Sequence, residues 1–123
     1  MTTYTDGPRN GVYIASEANG TRSREVETLA MGQNLQPGTV LGRLTASGEL
    51  VQLDPAAAPA DGSEKAVAVL FAAVDASAAA QPAVITARDT EVVGHALIWP
   101  TGATPEQKST ALAELEPLGI VAR

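Results

Sequence analysis

Apolar and polar residues change their spacing several times along the chain, and each change marks a predicted element. Alternation over residues 23–30 predicts a short edge strand. The stretches 39–45 and 49–53 flank a Ser-Gly turn and predict a β-hairpin, in which Gly42 marks a bulge or a close contact. The nearly continuous apolar run 66–76 predicts a buried central strand, because its β-branched residues do not line one helical face.

Two more strands are predicted before the only helix. Residues 82–88 form the first, and a tight turn leads into the second at residues 91–99. This second strand is expected to stop at Trp99-Pro100, because proline has no N–H to donate to a ladder.

The helix has a clear start signal. Thr104 is followed by Pro105 and, three residues on, by Gln107, which is the pattern of a capping box with proline at the first helical position. The spacing predicts a helix over about residues 105–116, with Leu115 on its apolar face, and a short return strand at 120–121. In total, the pattern predicts a mainly β single domain with six or seven short strands and one C-terminal α-helix.

The first part of the chain is different, because it is polar and rich in small residues. Residues 1–28 are predicted to form a flexible N-terminal arm, and residues 29–123 the β-rich domain. The arm contains a short apolar island that includes Tyr13 and Ile14. It is either a mobile tail or a segment that becomes ordered by adding a strand to a partner's sheet edge, and Val26 would then be buried with the island.

Composition favours assembly over a large independent core. The chain has 123 residues, the usual length of one domain, but only four aromatic side chains, and its apolar residues are mainly Ala, Val and Leu. Alanine buries little area, so such a core is thin and gains from contacts between subunits. A homo-oligomer and a plain monomer both remain open at this point.

Charge and residue types exclude several classes. A net charge of −6 argues against direct nucleic-acid binding, and the absence of cysteine excludes disulfides and thiolate sites. The sequence contains no apolar run long enough to cross a membrane and no signal-peptide pattern, so we expect a protein made in a cytoplasm.

No arrangement of residues points to catalysis. His95 is the single histidine and lacks a partner at a metal-ligand spacing, so a structural role is predicted for it. The glycines do not form a phosphate loop, and there is no strained nucleophile turn. We therefore predict that the protein is not an enzyme and uses no cofactor or metal.

The order and spacing of several blocks carry a resemblance to a known family. These blocks are QPGTVLGRLT, ELVQLDPAAAPADGSEKAVAVLFAAVDAS, TARDTEVVGHALIWP and the helix TPEQKSTALAEL. Over about residues 35–123 the chain resembles the head decoration proteins of lambda-like tailed phages, the D-protein family. The most specific part is the LIWP end of a strand followed by the helix.

This resemblance implies a β-clip-like fold and a structural role. It implies homotrimers on the outer surface of the expanded head, at local threefold sites, where they bind the major capsid protein and stabilise the shell against internal DNA pressure. It also implies that the N-terminal arm, with Tyr13, Ile14 and Val26, extends a capsid sheet. Trp99 and Pro100 are assigned equally to the core or to the trimer contact. The alternative function is a small ligand- or carbohydrate-binding β domain displayed on a virion or cell surface.

Overall fold

A computed structural model describes residues 9–57 and 60–123, and within these ranges the protein is mainly β. It contains one α-helix, α1 (Pro105–Leu115), and short 3-10 turns at Gly94–Ala96 and Glu116–Leu118. The strands are β1 (Ile14–Glu17), β2 (Arg24–Leu29), β3 (Asn34–Leu35), β4 (Val40–Arg43), β5 (Leu50–Gln52), β6 (Ala66–Leu70), β7 (Val74–Asp75), β8 (Gln81–Thr86), β9 (Thr90–Val92) and β10 (Ile120–Ala122).

Five of these strands close into a small barrel in the order β2-β5-β4-β6-β8. A second sheet, β1-β9-β10, lies beside it, and β3 pairs with β7 as a separate ribbon. The prediction of a mainly β domain with one C-terminal helix is confirmed, and the architecture is that of a small β-barrel-like domain.

The predicted hairpin is confirmed as β4 and β5, in which Leu41 lies opposite Gln52 and Arg43 opposite Leu50. Gly42 has the predicted role, because the register between β4 and β6 shifts at this point. A Cβ atom at Gly42 would lie only 2.5 Å from the carbonyl oxygen of Ser63. Glycine is therefore required here by the close approach of the backbone of Ser63.

The barrel closes unevenly at β2. This strand pairs with β8 at six positions, but it meets β5 at a single position, where Leu29 lies opposite Leu50. A bidentate ion pair between Arg43 and Glu27, with one N–O distance of 2.9 Å, reaches across the same seam. The strand predicted at residues 23–30 is therefore present as a member of the barrel, fully paired with β8 but, in the described part of the chain, largely unpaired on the side of β5.

The strand predicted at residues 91–99 is not continuous. Within this stretch only β9 is a strand, and the chain then forms the 3-10 turn around His95, whose side chain is exposed. Ile98 afterwards forms an isolated parallel bridge with Thr39. The break has a physical reason, since the segment must leave the sheet of β1 and β10 to reach the start of β4. The predicted run 66–76 is similarly shorter, ending as a strand at Leu70.

Helix α1 begins as predicted. The Thr104 hydroxyl accepts a hydrogen bond from the Gln107 N–H, and the Gln107 side chain accepts one from the Thr104 N–H. Ala111 and Leu115 are buried on its inner face. The chain then turns at Gly119, which has a φ of 90°, and β10 returns parallel to β9.

Two clusters of buried side chains form the core. One is made by barrel strands and the β3–β7 ribbon, with Leu29, Leu41 and Ile85 among its members. The other joins the barrel to the β1-β9-β10 sheet and to α1, and it includes Tyr13 and Leu115. The helix and the second sheet are thus held to the barrel by one shared apolar layer.

The N-terminal region differs from the sequence expectation. Residues 1–8 of the predicted arm lie outside the described residues, but from Ile14 onward the predicted arm forms β1 and β2. Tyr13, which precedes β1, is completely buried in the core cluster shared with α1. The prediction missed this because the aromatic side chain finds its partners far along the chain, at positions that local composition does not reveal.

We predict that Gly42→Ala destabilises the domain, because the added methyl group must displace the backbone of Ser63. The expected loss is about 2 kcal/mol of unfolding free energy, measured by urea denaturation followed by circular dichroism. Gly94→Ala is the matched control, since its Cβ would make only an ordinary 3.9 Å contact with Ala122. Equal stability of the two variants would contradict the steric explanation.

A second prediction concerns acid stability at the seam. The hydrogen bond from Arg43 holds the pKa of Glu27 below its ordinary value of 4.5, against the opposing effect of burial. Stability from this pair is therefore fully present above about pH 4.5 and is lost as pH falls through the lower pKa of the folded protein. Both side chains are partly solvated, at 38% and 26% exposure for Arg43 and Glu27, so the contribution should stay below about 1 kcal/mol.

Glu27→Gln should consequently be less stable than the parent protein at about pH 7, and the difference should shrink towards about pH 3. Urea midpoints measured across this range check it. Glu49→Gln is the control, because the Glu49 carboxylate forms no ion pair within the described parts of the chain. A difference for Glu27→Gln that is independent of pH would count against the ion pair.

Candidate assembly surface

An apolar groove lies on the outside of the barrel where β2 and β8 run side by side. We call it the Phe71 groove, with a cavity volume of about 460 Å³, and it is lined by Thr21, Arg24, Glu25, Val26, Phe71 and Val84. Val26 is 67% exposed, and it forms a contiguous apolar surface with Phe71 and Val84. Such a surface is suited to binding another macromolecule.

The strand register places the groove residues together. Val26 lies opposite Val84 in the β2–β8 ladder. Phe71 directly follows β6, and its N–H donates to the Val84 carbonyl at 2.9 Å. The Phe71 carbonyl in turn accepts a hydrogen bond from Gly11 at 2.9 Å. The groove is therefore built on fixed backbone and lies where the first described residues join the domain.

An arginine covers one side of the phenyl ring. The guanidinium carbon of Arg24 lies 3.9 Å from the ring centroid of Phe71, in cation–π geometry, and the same guanidinium pairs with Glu17. Burial opposes ionisation of Glu17, but hydrogen bonds from Arg24 and Ser23 outweigh it and hold the pKa of Glu17 below its ordinary value. Arg24 is thus fixed from two directions.

The other charged residue of the groove lining, Glu25, is also paired. Arg88 pairs with Glu25 and also donates to the carbonyl of Arg22 at 2.8 Å. Arg22 lies 3.8 Å from Asp89. Both charged residues of the groove lining, Arg24 and Glu25, are therefore paired with an opposite charge, although the chain as a whole carries −6.

Tyr13 anchors the start of the chain close to this surface. Its hydroxyl forms a buried hydrogen bond with the Thr86 hydroxyl, and Thr86 lies opposite Arg24 in the β2–β8 ladder. Burial raises the pKa of the Tyr13 hydroxyl well above its ordinary value, so this group stays protonated. The Tyr13 carbonyl also accepts from the Val93 N–H at 2.7 Å.

The structure separates the three residues predicted for the capsid-binding arm. Tyr13 has no exposed surface and cannot contact a capsid in this conformation, because it fills the core. Ile14 is half-buried in β1 and packs against the same cluster. Val26 is exposed, but in a barrel strand and not in an arm. The three side chains therefore do not form one binding segment.

Trp99 and Pro100 were predicted to serve either the core or a trimer contact. Both are half-buried, and Trp99 packs against the core cluster that contains Tyr13. This packing supports the core alternative for Trp99, and a trimer contact by either residue stays a prediction.

Sequence reasoning did not single out Phe71, Arg24 or Val84. Phe71 was placed inside a buried central strand, whereas it lies just beyond the strand and is half-buried. One signal was present, since Phe71 is the only phenylalanine among four aromatic residues. The register that brings Arg24 over it is a long-range property that no local pattern encodes.

A second concavity, of about 420 Å³, lies between α1 and the segment after β5. Its lining includes three glutamates, Glu64, Glu106 and Glu114. The Glu114 carboxylate accepts from the Ala66 N–H at 3.0 Å, and Glu64 accepts from Gly62 at 2.9 Å. These two carboxylates therefore stabilise the local backbone.

Neither a metal-ion site nor a membrane-spanning helix is found among the described residues. Residues 9–57 and 60–123 contain no group of three or more His, Asp or Glu side chains placed to hold a metal ion. Neither do these ranges include a helix with the length and apolarity needed to cross a bilayer.

Comparison with known proteins gives one match. A family model described as bacteriophage lambda head decoration protein D matches residues 3–120 of the 123-residue chain. The match thus covers the barrel, the helix, strands β1 and β9 of the second sheet, and the residues that line the Phe71 groove. A search of curated proteins found no match.

The Tyr13–Thr86 hydrogen bond leads to a testable prediction. Tyr13→Phe and Thr86→Val should each destabilise the domain by about 1–2 kcal/mol, because each leaves one buried hydroxyl without its partner. The double variant should lose less than the sum, since both polar groups are then gone. Urea denaturation measures the four proteins of this cycle. Strict additivity would show that the hydrogen bond does not form.

Proposed function

The chain belongs to the bacteriophage lambda head decoration protein D family, and on this premise we propose that it binds the head of a tailed phage as a cementing protein. The observation that carries the proposal is the length of the family match, which leaves only two residues at the start and three at the end unmatched. The family consists of structural capsid decoration proteins and is not an enzyme family, and its members are located in the virion.

The proposed mechanism starts from a preformed homotrimer on the outer surface of the head. Each trimer binds at a local threefold site between capsomers, so that three equivalent contacts form at once. Once one contact is made, the other two become intramolecular, and their effective concentration rises. Weak individual contacts then add up to a stable attachment that holds neighbouring shell subunits together against the internal pressure of DNA.

The segment proposed to bind the major capsid protein is the N-terminal one. The buried side chain of Tyr13 supports a shorter segment than the sequence suggested, consisting of the residues that precede it. We propose that these residues add a strand to a sheet edge of the capsid protein. Backbone hydrogen bonds of the new ladder would offset the entropy lost on ordering.

The same mechanism makes binding depend on the state of the head. The expanded shell is proposed to offer the sheet edge, and the unexpanded shell to withhold it. A ligand stabilises the state that it binds better, so decoration would hold the head in its expanded form.

We predict that the purified protein sediments with expanded heads and not with unexpanded heads. Deletion of residues 2–8 should weaken binding to expanded heads by at least about tenfold, because three contacts are weakened in each trimer. Quantitative co-sedimentation measures both effects. A variant of equal length with proline at alternate positions of residues 2–8 is the control for segment length, and it should bind as weakly as the deletion, because proline has no N–H to donate to the ladder.

Two outcomes would contradict parts of this mechanism. Equal binding to expanded and unexpanded heads would refute the dependence on head state. Unchanged binding of the deletion variant would refute the role of the N-terminal segment. Circular dichroism of the deletion variant should match that of the full chain, since the described strands begin only at Ile14.

A further inference from the structure

We propose that the Phe71 groove is the surface on which a second copy of this chain docks, and that it forms one side of the subunit contact in the trimer. This inference rests on the proposed homotrimer and adds the location of its interface. It also gives a different role to Val26, which the sequence had suggested as a capsid contact.

The side chains of the groove have the composition of an interface centre. Aromatic residues and arginine are enriched at the centres of protein interfaces, where they contribute most of the binding free energy. The groove contains Phe71 with Arg24 above its ring, and the valines at 26 and 84 extend this apolar surface along the β2–β8 ladder. Covering the exposed side chain of Val26 with another apolar surface would remove this area from water and so contribute favourable free energy to binding.

These side chains are also held in place before any partner arrives. Val26 and Val84 lie on paired strands, and Arg24 is fixed by both Phe71 and Glu17. Little conformational entropy is therefore lost when the groove is covered, which favours a permanent contact.

The charge balance of the groove favours a second copy of this chain as the binding partner. Two chains that each carry −6 repel one another unless their contact face is neutral. The groove meets this condition, because the two charged residues of its lining are paired, Arg24 with Glu17 and Glu25 with Arg88. A strongly charged partner would gain little electrostatic attraction from a surface whose charges are already paired.

The concavity beside α1, of about 420 Å³, does not meet this condition. Glu64, Glu106 and Glu114 line it, and none of the three forms an ion pair within residues 9–57 and 60–123. Two copies meeting there would bring like charges together, which is costly on desolvation. Between these two concavities, the Phe71 groove is therefore the better suited to self-association.

The location agrees with the proposed attachment to the head. Gly11 donates to the Phe71 carbonyl, so the N-terminal segment leaves the domain beside the groove. Subunits that meet at the groove would bring their N-terminal segments near the contact between subunits. This arrangement favours the simultaneous binding of three segments at one threefold site.

The test replaces Val26 by Glu and measures the oligomeric state by sedimentation velocity across micromolar concentrations. A buried unpaired carboxylate should weaken the trimer by at least about a hundredfold, so that Val26→Glu sediments as a monomer. Val26→Thr keeps the shape without the charge and should remain largely trimeric. Thr110→Glu adds the same charge at the concavity beside α1, and it should leave the trimer intact.

Circular dichroism should show native secondary structure for all three variants, because Val26 and Thr110 are both exposed in the described subunit. A trimeric Val26→Glu that binds heads normally would overturn the inference while leaving the proposed function in place. A trimeric Val26→Glu that no longer binds heads would overturn it in favour of a capsid contact. A monomeric parent protein would refute the proposed trimer and this interface together, whereas head binding would still be tested by co-sedimentation.

Discussion

The burial of Tyr13 is the constraint on which the rest of the structure depends. Its ring lies in the cluster that joins the barrel to the second sheet and to α1, and its hydroxyl bonds to Thr86. Its carbonyl accepts from Val93, so the same residue also fixes the entry to β1 beside β9. In a core composed largely of Ala, Val and Leu, one fully buried tyrosine contributes an unusually large share of the apolar area. An N-terminal arm that includes this residue could leave the domain only by opening the core.

At the seam between β2 and β5 the barrel closes incompletely, and charged side chains protect the unpaired edge of β2. β2 is fully paired with β8 but meets β5 only at Leu29, so most of its other edge forms no ladder within the described residues. Exposed strand edges invite unwanted pairing, and charged side chains discourage it. Arg24, Glu25 and Glu27 occupy that strand, and all three are engaged in ion pairs. Val26 interrupts the charged series, and so it is the one position where the face of β2 is suited to an apolar contact.

The elements that could be predicted from the sequence are those determined by neighbouring residues. The capping box at Thr104, the β4–β5 hairpin and the glycine at position 42 depend on a few adjacent side chains or a single close approach. The break after β9 could not be predicted, because it arises from the need to bring Ile98 to Thr39 across the domain. The Phe71 groove was missed for the same reason, since a β2–β8 register separated by about sixty residues creates it.

The distribution of charge connects the fold to assembly. A chain with a net charge of −6 gains from pairing the acidic residues of any surface that meets another copy. The fold distinguishes two surfaces in this respect, because glutamates that form no ion pair within the described residues line the concavity beside α1, whereas Glu25 in the Phe71 groove is paired with Arg88. The balance at Glu25 depends on strand register, since its partner Arg88 follows β8, which is paired with β2. The pairing that closes the barrel therefore also neutralises the face proposed for assembly, and a subunit that has not closed its barrel would lack that face.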